Sequence, residues 1–177
     1  MKRYFLLFLF IVFVSAIQAQ LTPADNGSKV HFVIKNFGIS TGGDFTGLSG
    51  KISFDPANLS TASFNVSVDA NTVNTDIDSR DSHLRREEYF DVAHFPRISF
   101  VSTRVTKTNN SGFLYVFGKL TIKGVTKEVK FPFKAVAQNG GYLFEGNFSI
   151  NRRDFGVGGK SLSMGDNLDV YLSVFAK

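Results

Sequence analysis

Lys29-Val30-His31-Phe32-Val33-Ile34-Lys35-Asn36-Phe37-Gly38 is the stretch from which the fold is read. Val30, Phe32 and Ile34 fall on one side of an extended chain, and Lys29, His31 and Lys35 on the other, which is the two-residue period of a half-buried strand. The Asn36-Phe37-Gly38 corner ends the run. The same alternation recurs in about eight segments separated by Gly, Asn, Asp or Pro. In the second, residues 44–55, the apolar parity shifts from Phe45 to Leu48, Ile52 and Phe54, which predicts a bulge or bend at Gly47. Phe64, Val66 and Val68 make the third. Ile98 and Phe100 follow Pro96, and Asn109-Asn110-Ser111-Gly112 turns the chain into residues 113–122. Lys123-Gly124 leads to Val129, Phe131 and Phe133, and Asn139-Gly140-Gly141 to Tyr142, Phe144, Phe148 and Ile150. Val170, Leu172 and Val174 carry the last segment. Tight turns between neighbours favour an all-β, up-and-down antiparallel barrel over a sandwich, since closure removes exposed edges.

One segment breaks this pattern. Arg80-Asp81-Ser82-His83-Leu84-Arg85-Arg86-Glu87-Glu88-Tyr89-Phe90-Asp91 is charged and helix-capable, a short helical insert near residues 78–90. Asp78 or Ser79 can cap it, and Leu84 can pack inward while residues 85–88 stay in water. The other reading is direct contact with a ligand. Such a turn in a chain of strands closes or lines something.

Residues 1–19 have the three parts of a secretory leader: Lys2 and Arg3, an apolar run over residues 4–14, and small residues toward Ala16 and Ala19. The run is shorter than the ~20 residues that cross a bilayer. Cleavage before Gln20 is expected, leaving residues 20–177 as one domain, periplasmic or secreted. The cut takes the formal charge from +5 to +3. The remaining cations are interspersed with Asp and Glu, so no nucleic-acid partner is expected. Without cysteine there is no disulfide, thiolate metal site or cysteine nucleophile. His31, His83 and His94 are too dispersed for a zinc motif, and no metal or cofactor is expected. Arg153-Asp154-Phe155-Gly156 looks like a kinase metal-binding motif but lacks the catalytic loop that accompanies it. Gly156-Val157-Gly158-Gly159-Lys160-Ser161 looks like the end of a phosphate loop, yet Asp154 stands where the first glycine belongs and no helix follows. A flexible loop before the last strand is expected there.

A series of motifs runs through the chain in order. It begins with Ser28-x-Val30-x-Phe32-x-Ile34, Gly43-Asp44-Phe45, Gly50-Lys51-Ile52-Ser53-Phe54-Asp55-Pro56 and Asp69-Ala70-Asn71-Thr72-Val73-Asn74-Thr75. It continues with Arg80-Asp81-x-His83-Leu84, Phe90-Asp91, Phe95-Pro96-x-Ile98-x-Phe100, Gly118-x-Leu120-Thr121-Ile122-x-Gly124-Val125-Thr126-Lys127 and Arg153-Asp154-Phe155-Gly156. Together these resemble the YceI-like family across the whole chain after the leader. The resemblance implies an extended, eight-stranded, lipocalin-like antiparallel barrel, exported to the periplasm. It further implies a non-enzymatic carrier that holds a polyisoprenoid or similar long-chain amphiphile in an apolar tunnel. Many relatives have a histidine at the end of the first strand where this chain has Asn36, so no imidazole role carries over.

Packing approaches the same reading independently. Sixteen of the twenty Phe lie beyond the leader, many at alternate strand positions. A small barrel is filled by such side chains or left open for one ligand, and alternation alone does not distinguish the two. The expected apolar lining is Phe32, Ile34, Phe45, Phe54, Phe64, Val66, Ile98, Phe100, Leu120, Phe131, Phe144 and Phe148, with Phe90 from the insert. Head-group recognition needs polar residues at the mouth, and Arg80, Asp81, His83 and Arg153 are the candidates. Transient membrane contact and a homodimer stay open as further partners. Two rival functions stand beside the carrier: a lipid-ester hydrolase using His83 with Asp81 and a serine, and a solid-core structural or adhesion module.

Overall fold

The computed structural model describes residues 20–177, and the expected leader lies outside the described residues. The strands are β1 (Gln20–Leu21), β2 (Pro23–Asn36), β3 (Ile39–Phe45), β4 (Ser49–Ser53), β5 (Ser63–Asp69), β6 (Arg97–Lys107), β7 (Leu114–Ile122), β8 (Val125–Gln138), β9 (Gly141–Asn151) and β10 (Met164–Ala176). One helix, α1 (Asp78–Leu84), lies between β5 and β6, and short 3-10 turns occur at Leu59–Thr61, Ala70–Thr72 and Arg152–Phe155. All strand pairs are antiparallel, in the order β1-β4-β5-β6-β7-β8-β9-β10-β2-β3. β1 and β2 stand far apart in that order although only Thr22 separates them in the chain. The sheet therefore curls round and meets itself, as a barrel.

Ten segments replace the eight expected because two wall strands are interrupted. The first changes partner at Thr22: Leu21 pairs with Ile52, whereas Pro23 pairs with Ala176. Thr22 N–H donates to the Lys177 carbonyl at 2.8 Å and Lys177 N–H returns the bond at 3.2 Å. The second is broken at the expected bend. Gly47 has φ +71°, and the Asp25 carboxylate accepts both the Gly47 and Leu48 N–H groups at 2.9 Å in place of the ladder. This strand also begins earlier than alternation suggests. Ile39-Ser40-Thr41-Gly42-Gly43 has no apolar period, yet it pairs in register with Phe32–Asn36.

Residues directly opposite in the ladders share a face, and Val66–Phe100, Phe100–Leu120, Val116–Phe131, Phe148–Val170 and Val170–Phe32 are all such pairs. Their parity is the inward one. Its lower end is packed solid with Leu21, Ile52, Phe54, Phe64, Phe133, Phe144 and Ala176, all buried. Phe54 and Phe64 meet Phe144 edge to face, with ring centres 5.3 and 5.2 Å apart, an arrangement worth about 0.5–1.5 kcal/mol per pair beyond area burial.

At the other end, the segment between β5 and β6 crosses the barrel. Its helix is shorter than the expected insert, because the chain after Leu84 continues as turns. Neither Asp78 nor Ser79 caps it: Ile77 is the N-cap residue and contributes no side-chain hydrogen bond. The anchor is Asp81 instead. Its buried carboxylate accepts the Thr75 N–H at 2.9 Å and the Thr75 hydroxyl, tying the helix to the strand-like segment before it.

Candidate functional site

Between the aromatic plug and the crossing segment, the barrel encloses a hollow of about 260 Å³. All the expected lining residues except Phe54 border it. Phe54 belongs to the plug, where its ring also meets Phe133 and Tyr142. The reason is position along the strand. Phe54 keeps inward parity but lies past the end of β4, below the hollow.

Glycines make room for the hollow. A Cβ on Gly118 would lie 2.5 Å from the Phe100 ring, and one on Gly43 would lie 2.6 Å from the Phe32 ring. Each ring therefore rests against bare backbone of the wall. With a larger residue in either place, the ring would be pushed toward the centre.

The roof consists of two segments. Residues 85–96 and the β9–β10 connection meet where Gly158 N–H donates to the Glu88 carbonyl at 2.8 Å, with Tyr89 lying against Gly158. Phe155 and Val157 are buried beneath them with Leu120 and Ile122. Arg152 holds the connection in shape. Its guanidinium donates to the carbonyls of Gly165, Val157 and Gly159 at 2.9–3.0 Å and to Asp166 at 2.9 Å. The expected flexible loop is thus fastened along its length by one buried side chain.

The four mouth candidates separate. Arg80 borders the hollow, half-buried, with Nε donating to the Thr75 hydroxyl at 2.7 Å and Nη2 to the Thr75 carbonyl at 2.6 Å. Among the described residues nothing accepts from its Nη1, and no carboxylate forms an ion pair with it. Asp81 is buried behind Thr75 and does not reach the hollow. His83 is exposed, its ring 4.8 Å from that of Tyr89. Arg153 is exposed and paired with Asp166 at 3.1 Å. Of the four, only Arg80 borders the hollow, and no hydrogen bond joins His83 to Asp81. His31 lies at the border of the hollow and His94 away from it, hydrogen-bonded at 2.8 Å to Asp44 and Asp91 respectively. The hydrogen bond that the His94 ring donates to Asp91, reinforced by the carboxylate's charge, raises the His94 pKa above the usual 6.5.

Residues that sequence reasoning missed at the hollow include Arg152, Asn36, Thr41, Thr75 and Met164. For Arg152 a signal existed. The parity of Phe148 and Ile150 carries on to position 152, so its side chain turns inward while its neighbour Arg153 turns out.

An antiparallel barrel plugged at one end and holding an apolar hollow at the other defines a lipocalin-like class. The YceI-like domain matches residues 21–176, and the chain belongs to the YceI-like family. A UPF0312 protein of Yersinia enterocolitica is 37% identical over 152 residues, which cover 81% of this chain and 78% of that one. Among solved structures, BcnA of Burkholderia cenocepacia is similar with a TM-score of 0.82 and 25% identity, over 88% of this chain and 99% of its own. The Campylobacter jejuni YceI protein follows at 0.67 and 27%, over 75% and 82%. A polyisoprenoid binding domain from Saccharophagus degradans superposes at 0.71 over 90% and 98%; at 17% identity this likeness shows the fold alone.

Proposed function

We propose that this protein is an exported, non-enzymatic carrier that holds the tail of one long-chain isoprenoid or similar amphiphile. The observation that carries the reading is the hollow itself, bordered by apolar strand residues and by the Arg80 guanidinium, which Thr75 holds and which forms no ion pair among the described residues. Its 260 Å³ lies just under the ~300 Å³ at which small-molecule pockets begin. That suits one slender tail. Each buried methylene contributes ~0.8 kcal/mol, so roughly ten to fifteen carbons gross about 8–12 kcal/mol. Micromolar affinity needs about 8 kcal/mol, and association costs several more, so tail length dominates binding. One methylene changes affinity little, and discrimination falls to the head group. Arg80 offers free N–H donors there, favouring an anionic or oxygen-rich head.

The test is organic extraction of the purified protein followed by mass spectrometry. One long-chain amphiphile per chain is expected, with Phe100→Asp emptying the hollow and Lys119→Ala, exposed on the outer face, leaving it filled. Recovery of no lipid, together with no uptake of an added polyprenol, would overturn the reading. Arg80→Gln should weaken an acidic amphiphile more than the matching alcohol. Cell fractionation of the full chain tests export, and ester substrates should remain unhydrolysed.

A further inference from the structure

At the mouth end of the barrel, Phe37, Ile39 and Leu162 are 80%, 70% and fully exposed. They sit on the β2–β3 hairpin and the β9–β10 connection, which are joined, since Phe37 N–H donates to the Ser163 carbonyl at 2.7 Å. Phe37 holds this position with φ +49°, a conformation that bulky residues seldom adopt. Large apolar side chains projecting together from a surface mark an interaction site.

We propose that this tip docks on an anionic membrane surface. It is continuous with the hollow: Asn36, Thr41 and Met164 border the cavity, and each lies within two residues of a tip side chain. Residues 35–43 and 155–165 contain Lys35 and Lys160, both exposed, and no Asp or Glu. Apolar groups that enter the acyl boundary and lysines that face anionic head groups are the two components of interfacial binding. A second copy of the chain fits less well. Three side chains, at no more than about 250 Å² each, fall short of the ~800 Å² per partner of a stable complex. With the tip inserted, the mouth would lie at head-group depth, and an amphiphile could enter tail first without crossing water. The proposal rests on the carrier reading and adds its partner surface.

The experiment measures co-sedimentation of the purified protein with phosphatidylglycerol-containing and pure phosphatidylcholine vesicles. Wild type should partition onto the anionic vesicles, and Phe37→Asn/Ile39→Thr/Leu162→Ser should lose on the order of tenfold or more. Asn tolerates the left-handed backbone at position 37, and all three sites are exposed, so the variant should fold and keep a preloaded amphiphile. Lys35→Gln/Lys160→Gln should erase the preference for anionic over neutral vesicles. Equal partitioning of wild type and triple variant, or none by either, overturns the proposal. So does a wild-type dimer, seen by sedimentation velocity, that the triple variant dissolves without any change in vesicle binding. A loaded hollow without vesicle binding sinks the docking alone; an empty hollow with intact vesicle binding sinks the carrier reading alone.

Discussion

The lower and upper halves of the barrel are lined by the same residue type on the same strand parity, but only the lower half is filled. Below, Phe54, Phe64, Phe133 and Phe144 face one another, and each ring's edge meets a neighbour's face. Above, Phe32 and Phe100 lie against glycines, and Phe131 and Phe148 stack nearly parallel at 4.5 Å. What a ring faces across the barrel decides whether it plugs or lines. A phenylalanine that meets three or four other rings packs; one that meets one or two, or rests on a glycine, leaves space.

The difference is most sharply tested by truncating one ring from each half. Phe144→Ala should cost about 3–5 kcal/mol in denaturant unfolding, because its cavity opens inside a packed cluster. Phe148→Ala should cost less than half as much and mainly lower amphiphile affinity, since its ring is only half-buried and stacks on Phe131 alone, whereas Phe144 is buried against four rings. Equal costs would mean that the halves do not differ energetically. Gly118→Ala should displace the Val101 carbonyl, 2.6 Å from the new Cβ, and drive the Phe100 ring inward, for about 1–3 kcal/mol of strain. Binding of a series of tails should then show a shorter longest-accepted tail; an unchanged series would remove the glycine from the account. Thr75→Val, at the roof, deprives Asp81 and Arg80 of their shared hydroxyl and should cost about 1–3 kcal/mol in thermal unfolding.

The smallest effect is expected at His94, exposed and outside both halves. Its folded pKa lies above the unfolded one, so its protonated form is favoured by the fold. That contribution is fully present below about pH 6.5 and is lost as pH rises through the raised folded value. Melting temperature measured across this window should fall slightly, and Asp91→Asn should flatten the change. A rise with pH at this site would reverse the assignment.

Strand parity made the inward face legible because a barrel wall demands one apolar side, and the bend at Gly47 showed as a change of that parity. Phe54 was misplaced because period two gives the face and not the height along the strand. Residues 39–43 were missed because a glycine-rich stretch can serve as wall when a partner's ring covers it. Among the mouth residues, Arg80 and Arg152 differ from Asp81, His83 and Arg153 only in direction, and a short helix or turn rotates side chains in ways that composition does not record.

The seam between Thr22 and Lys177, and the pairing of β10 with both β9 and β2, have a bearing on biosynthesis. No ring of strands can be completed before the thirteen residues of β10 pair with both β9 and β2. Until then, every intermediate is an open ribbon with a greasy phenylalanine side uncovered, the kind of species that aggregates or engages chaperones. Joining the two ends through a short linker and opening the chain in the 108–112 turn should keep the cylinder intact while changing the order in which it zips.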